Sequence, residues 1–129
     1  MILLDTHVLI WTARDPTKLS EPAAHAIQTA GQTGGLAISA ITLWELAWLA
    51  TNGRLNFTGI VDDFVERLSS RTAIRPITSR IAVLASRLPR TYSKDPSDRL
   101  IGATAMAEGI ALVTKDRSIR NCKQIKTIW

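Results

Sequence analysis

Four acidic side chains stand where an enzyme could use them together. Asp5 and Asp116 each follow a short apolar run, Glu45 is the only charge in the apolar segment 41–50, and Asp98 lies near the start of a predicted helix. Carboxylate oxygens without a matching set of His or Cys are the ligands of a hard cation such as Mg²⁺ or Mn²⁺, and not of Zn²⁺. The sequence therefore predicts a carboxylate site for Mg²⁺ or Mn²⁺.

The charge distribution suggests what such a site would act on. Residues 1–66 carry three Lys and Arg against seven acids and residues 67–129 carry 13 against four, so the halves have net charges of −4 and +9. A basic surface beside a carboxylate-bound metal suits phosphodiester hydrolysis, in which the metal activates water and offsets phosphate charge. The alternative is that the basic residues form a solvated surface that keeps the protein soluble.

The acids need a scaffold, and the pattern of apolar runs predicts one. Short apolar segments that predict strands lie at 2–4, 36–38, 73–77, 110–114 and 124–128. Capped or amphipathic segments that predict helices lie near 8–14, 22–29, 41–50, 60–68, 79–88, 96–108 and 118–121. Alternating strands and helices favour a mainly parallel five-stranded sheet with helices on both faces. We predict a single α/β domain over residues 1–129, a three-layer α/β/α sandwich.

In such a sheet the first and fourth strands decide whether two of the acids meet. If these strands are neighbours at a switch in strand order, Asp5 and Asp116 face each other across the crevice beyond the carboxyl ends of the strands. Two like charges there repel unless a cation lies between them or one carboxyl keeps its proton. The alternative for Asp5 alone is that it caps the helix that follows it.

The other two acids are brought in by helices. Asp95 precedes Pro96 at the first helical position and is best explained as an N-cap, whereas Asp98 completes the cap or reaches into the crevice. Gly102, one turn on, lets this helix approach another backbone closely, which favours a buried position for Asp98. Glu45 needs a partner, because an unpaired buried carboxylate is too costly.

The remaining reactive side chains add little to this chemistry. His7 lies close enough to Asp5 to orient a substrate or a water molecule, although a hydrogen-bonded structural role is equally compatible with its position. His25 is expected on the surface of a helix. The single Cys122 cannot form an intramolecular disulfide, and no segment approaches the roughly 18 apolar residues of a membrane span. We therefore expect a cytoplasmic protein that does not enter the membrane.

Four motifs, taken in order and spacing, resemble those of a known family. They are the segments 1–7, 39–45, 95–101 and 112–116, with the sequences MILLDTH, SAITLWE, DPSDRLI and LVTKD. Together they are similar to the PIN-domain ribonucleases, and particularly to the VapC-type toxins of toxin-antitoxin modules. The resemblance extends over nearly the whole chain and implies a PIN-like fold.

The resemblance also implies roles for particular residues and partners. It assigns the catalytic, metal-binding acids to Asp5, Glu45, Asp98 and Asp116, with Mg²⁺ or Mn²⁺ as cofactor and RNA as substrate. It makes Thr6, Arg99 and Lys115 candidates for holding phosphate or orienting water, with simple charge balance beside four acids as the alternative for Arg99 and Lys115. It further implies a homodimer held inactive by a small VapB-like antitoxin whose C-terminal segment wraps the toxin. Trp11, Trp44 and Trp48 are candidates for the dimer or antitoxin surface, with core packing as the alternative.

Other functions start from similar residues. Phosphoryl transfer to an aspartate also begins with an acid after the first strand, but it needs a second acid beside Asp5, and Thr6 and His7 supply none. A metal-binding or RNA-binding module that does not cut, a PIN nuclease that processes RNA, and cleavage of DNA are further alternatives. A short upstream reading frame for a DNA-binding antitoxin would favour the toxin.

Overall fold

The computed structural model describes residues 1–129 and is built on a five-stranded sheet in which every pairing is parallel. The strands are β1 (Ile2–Leu4), β2 (Leu36–Ser39), β3 (Ala73–Arg75), β4 (Ala111–Val113) and β5 (Thr127–Ile128). Their order across the sheet is β3-β2-β1-β4-β5. The predicted parallel α/β fold is therefore confirmed.

Seven helices and one 3₁₀ turn connect the strands. They are α1 (Thr6–Arg14), the turn Pro16–Lys18, α2 (Glu21–Gln32), α3 (Ala40–Thr51), α4 (Val61–Ser69), α5 (Ser79–Arg87), α6 (Pro96–Glu108) and α7 (Arg117–Arg120). Side-chain oxygens of Ser20, Ser39, Thr78 and Asp95 accept backbone N–H bonds at the starts of α2, α3, α5 and α6. Such caps satisfy N–H groups that have no partner within the helix, and they set where each helix begins.

The core has two layers because successive residues of a strand point to opposite faces of the sheet. Leu3 of β1 packs with Ile101 and Ile119 on the face covered by α6 and α7. Its neighbour Leu4 packs with Val8 and Leu46 on the face covered by α1 and α3. Apart from Ser39 at the end of β2, the interior strands are thus apolar because both of their faces are covered.

The order of the strands reverses at β1. This strand pairs with β2 on one side and with β4 on the other, where Leu4 is in register with Val113. The Asp5 N–H continues the ladder with a 3.1 Å bond to the carbonyl of Val113. The carboxyl ends of β1 and β4 therefore lie side by side, which is the predicted switch point.

Three strands are shorter than the sequence suggested. The fourth, expected over 110–114, covers Ala111–Val113. The third ends at Arg75, because Pro76 has no N–H for the ladder. The fifth was expected over 124–128 but covers only Thr127–Ile128, because Ile125 turns into the core and donates its N–H to the Cys122 carbonyl. None of the helices is long and apolar enough to cross a membrane.

Candidate active site

Asp5 fills both roles that the sequence left open. Its Oδ1 accepts the Thr6 N–H at 2.9 Å at the start of α1, and its Oδ2 accepts the Thr114 hydroxyl at 2.7 Å from the end of β4. The cap and the crevice position are therefore compatible, because the helix begins directly at the sheet edge. Thr114 was not singled out in the sequence, although it is the first residue after β4, as Asp5 is the first residue after β1.

Glu45 has the partner that its place on an apolar helix required. The Thr6 hydroxyl donates to Glu45 Oε1 at 2.5 Å and also lies 3.0 Å from the Thr42 hydroxyl. Thr6 itself is 1% exposed. Thr6, for which a role in holding phosphate or orienting water is predicted, is thus buried, and its hydroxyl orients Glu45.

Asp98 is held by the loop that precedes its helix. The Ser93 hydroxyl donates to Asp98 Oδ2 at 2.6 Å, and the Tyr92 hydroxyl donates to the Asp98 backbone carbonyl at 2.8 Å. Gly102 makes room for Tyr92, since a Cβ at this position would lie 2.2 Å from the tyrosine oxygen. The close approach inferred for Gly102 is thus to a side chain and not to a backbone.

Arg99 holds the same loop. Its Nε, Nη1 and Nη2 donate to the carbonyls of Ala85 (3.0 Å), Ser93 (3.2 Å) and Leu88 (2.7 Å). A planar guanidinium with several fixed donors suits this bridging. The guanidinium of Arg99, for which a phosphate contact is predicted, therefore bonds to backbone carbonyls and fixes the loop that positions Asp98.

Asp116 caps the last helix. Its Oδ1 accepts the Ser118 N–H at 2.8 Å and the Ser118 hydroxyl at 2.7 Å. Its own N–H bonds to the Thr114 hydroxyl at 3.1 Å, so Thr114 links it to Asp5. Its Oδ2 makes no hydrogen bond with the protein.

These acids line one cavity of about 440 Å³, which we call the acid cavity. Its lining contains the four predicted acids Asp5, Glu45, Asp98 and Asp116, the cap residue Asp95, and His7, Val8, Trp11 and Lys115. The fold therefore brings together the four carboxylates that the sequence singled out. Lys115, the third candidate for phosphate binding, lies in the lining and is exposed.

The crowding of carboxylates raises their pKa values. Burial, with the charges of Asp5 and Asp98, raises the pKa of Glu45 to about 7 against the lowering effect of the Thr6 hydroxyl. Burial, with the charges of Asp5, Asp95 and Asp116, raises the pKa of Asp98 to about 6. Burial also raises the pKa of Asp5, although the Thr114 and Thr6 bonds oppose it. The site thus accumulates negative charge that the protein does not neutralise.

This imbalance predicts a pH dependence of stability in EDTA. Because the folded state holds the Glu45 proton up to a pKa of about 7, against an ordinary value of 4.5, the free energy of unfolding falls as pH rises between these values. Glu45→Gln removes this titration but keeps an oxygen for Thr6. In thermal unfolding, the melting temperature of Glu45→Gln minus that of the wild type should increase from pH 4.5 to 7.5. A constant difference across this range contradicts the explanation.

The oxygen donors of this site suit a hard cation, although they are not arranged as a formed metal site. All four acids offer oxygen, and Asp116 has a free Oδ2, whereas no three His, Cys, Asp or Glu side chains stand close enough to hold an ion as they lie. Carboxylates that repel one another and have raised pKa values are the groups that a divalent cation stabilises.

A second cavity adjoins the first. This apolar groove, of about 700 Å³, shares His7, Glu45 and Asp95 with the acid cavity. Its other lining residues are Ile41, Trp44, Trp48, Leu49, Pro96 and Ser97. Trp44 and Trp48 are 56% and 44% exposed, as expected for two indoles on one face of an apolar helix. The groove offers a large apolar surface beside the candidate active site.

The fold and the site together define an α/β protein with a carboxylate cluster at the switch point of a parallel sheet. Residues 2–124 match the PIN domain family, so the chain belongs to that family. The chain is 39% identical over 130 residues to the ribonuclease VapC22 of Mycobacterium tuberculosis, a match that covers 99% of this chain and 98% of the relative.

Solved structures agree on the fold. A VapBC2 complex of Rickettsia felis bound to promoter DNA superposes with a TM-score of 0.74 at 18% identity, covering 98% of this chain and 97% of the other. FitAcB of Neisseria gonorrhoeae gives 0.70 at 22% identity, covering 98% and 96%. At these identities the likeness establishes the fold.

Proposed function

We propose that this protein is a metal-dependent endoribonuclease and the toxin of a toxin-antitoxin module, hydrolysing phosphodiester bonds of tRNA, rRNA or mRNA. The observation that carries the proposal is the convergence of Asp5, Glu45, Asp98 and Asp116 on one cavity at the switch point. The name of the 39% identical relative, a ribonuclease, supports RNA as the substrate. The net charge of +9 on residues 67–129 suits a polyanionic substrate.

Mg²⁺ or Mn²⁺ is the proposed cofactor, held by the four carboxylates. An ion bound there supplies Lewis acidity toward the phosphate and lowers the pKa of a water molecule. The hydroxyls of Thr6, Ser93 and Thr114 would fix the carboxylates through the bonds described above. Such supporting partners determine ligand orientation and affect metal affinity and activity.

Lys115 is the residue of the chain best placed to contact the substrate phosphate. It lies in the lining of the acid cavity, is exposed, and forms no ion pair within the protein. An ammonium group with free donors binds a phosphate oxygen as a point charge. A phosphate bound by Lys115 would lie next to the proposed ion.

The partners we propose are a small VapB-like antitoxin and a second copy of the chain. Support comes from the structural neighbours, which include toxin-antitoxin complexes of Rickettsia felis and Klebsiella pneumoniae. The apolar groove is the surface suited to an antitoxin segment, because Trp44 and Trp48 are the aromatic anchors that protein interfaces favour. An antitoxin chain in this groove would lie against Glu45 and His7 and would block access to the acids.

The function is tested by incubating the purified protein with structured RNA and with DNA in Mg²⁺, in Mn²⁺ and in EDTA. We expect the RNA to be cut with either metal and to stay intact in EDTA. RNA that is bound and never cut would make the protein a binding module. Cutting of DNA alone, or cutting in EDTA, contradicts the proposal.

A further inference from the structure

Trp11 is half-buried and lies apart from the two exposed indoles, Trp44 and Trp48. It is on α1, one turn after His7, and lines the acid cavity with Asp5, Asp98 and Asp116. Trp44 and Trp48 line the apolar groove and are absent from the acid cavity. The three tryptophans therefore do not form one surface, and the position of Trp11 needs a separate explanation.

Part of the Trp11 ring is held by aromatic neighbours. Its centroid lies 6.0 Å from that of Trp129 with the ring planes at 56°, and 6.0 Å from that of His7 at 52°. The residue packs against the core layer below α1 and remains half-exposed. The indole is thus fixed in orientation while part of it borders a cavity whose other walls are mostly charged.

A cation accompanies this indole. The Lys115 Nζ lies 5.9 Å from the Trp11 ring centroid, within the range of a cation–π contact. Five acids line the same cavity, yet Lys115 forms no ion pair with any of them. Lys18 lies 6.0 Å from the same ring, but it is paired with Asp15 at 4.0 Å and is outside the cavity lining. Lys115 is therefore the ammonium available to a ligand in the acid cavity.

We propose that Trp11 and Lys115 form a nucleotide subsite beside the four acids, in which a base of single-stranded RNA stacks on the indole and its phosphate contacts the ammonium. One nucleotide spans a ring and an ammonium 5.9 Å apart, because a single ribose separates its base from its phosphate. Aromatic platforms next to cationic groups bind single strands in this way with little dependence on sequence. The inference rests on the proposed function and names how its substrate is held.

Mononucleotides test the subsite without any cleavage. In Mg²⁺, with excitation at 295 nm, adenosine and uridine 5′-monophosphates should quench tryptophan emission, and ribose 5-phosphate, which has no base, should not. The quench should be lost in Trp11→Leu, which removes the aromatic platform, and kept in the matched Trp48→Leu. A quench that survives in Trp11→Leu, an equal quench by ribose 5-phosphate, or no quench by either nucleotide overturns the subsite.

Cleavage kinetics give the second test. We expect Trp11→Leu to raise the KM for single-stranded RNA by about tenfold, the effect of one lost base stack, with a smaller change in kcat. Trp11→Phe should recover most of that loss, and Val83→Ala, which shortens an exposed side chain outside both cavities, should match the wild type. Cleavage with an unchanged KM in a folded Trp11→Leu overturns the subsite and leaves the nuclease standing. Nucleotide quenching without RNA cleavage would support the subsite and contradict the nuclease function.

Discussion

Asp5→Asn and Asp98→Asn should each lower the rate of RNA cleavage by at least about 100-fold. Losing a residue that only supports a metal ligand already costs up to about 100-fold, and these substitutions remove a proposed ligand itself. Asparagine is almost isosteric with aspartate and is as good an N-cap, so Asp5→Asn keeps the bond to the Thr6 N–H. The variant therefore folds but lacks one negative charge in the acid cavity. Cleavage of labelled RNA at saturating Mg²⁺ measures the loss.

Asp95→Asn is the matched control. Asp95 lines the same cavity, and its Oδ1 accepts the Ser97 N–H at 2.8 Å at the start of α6. Asparagine and aspartate are about equally good N-caps, so the start of α6 is kept. We therefore expect cleavage to change by less than about threefold. A loss in Asp95→Asn as large as that in Asp98→Asn would show that general charge in the cavity matters more than the four predicted acids.

Gly102→Ala should be the most damaging small substitution outside the acids. The new Cβ would lie 2.2 Å from the Tyr92 hydroxyl and 2.9 Å from Ile125 Cδ1. We expect the free energy of unfolding to fall by about 1–3 kcal/mol, as in other overpacked cores. Cleavage should fall as well, because displacing Tyr92 breaks its bond to the Asp98 carbonyl and moves the loop that carries Ser93.

Gly31→Ala provides the control for the glycine exchange. Gly31 lies in α2, where an added Cβ would meet its nearest neighbour, Leu36, at 3.6 Å, an ordinary contact. Replacing a helical glycine with alanine in open space should stabilise the protein by about 0.4–1 kcal/mol. Urea denaturation of both variants checks the pair. A Gly102→Ala protein as stable and as active as the wild type contradicts the role assigned to Tyr92.

The sheet and the meeting of the acids were predictable because they depend on local signals. Apolar runs covered on both faces marked β1 and β4, and the acid after each run was placed by the strand direction alone. Asp95 was identified as a cap from Pro96, and the structure confirms the bond from Ser97. The pairing of β1 with β4 was a condition of this argument, and the structure meets it.

The support of the site was not predictable, because it depends on contacts between distant segments. Nothing near Ser93 in the sequence indicates that its hydroxyl reaches Asp98, and Tyr92 is buried only because Gly102 leaves space. The carbonyls that bind Arg99 become neighbours only when α5 and α6 pack. The position of Arg99 in its motif does not show that its guanidinium bonds to these carbonyls.

The claim that four carboxylates form one metal site is tested most directly by titrating Mn²⁺ into the metal-free protein in a calorimeter at pH 7.5. We expect saturable Mn²⁺ binding by the wild type and by Asp95→Asn, and much weaker Mn²⁺ binding by Asp5→Asn and Asp98→Asn. Mn²⁺ should raise the melting temperature only of the proteins that bind it. No binding by the wild type, or equal binding by all four proteins, would contradict it.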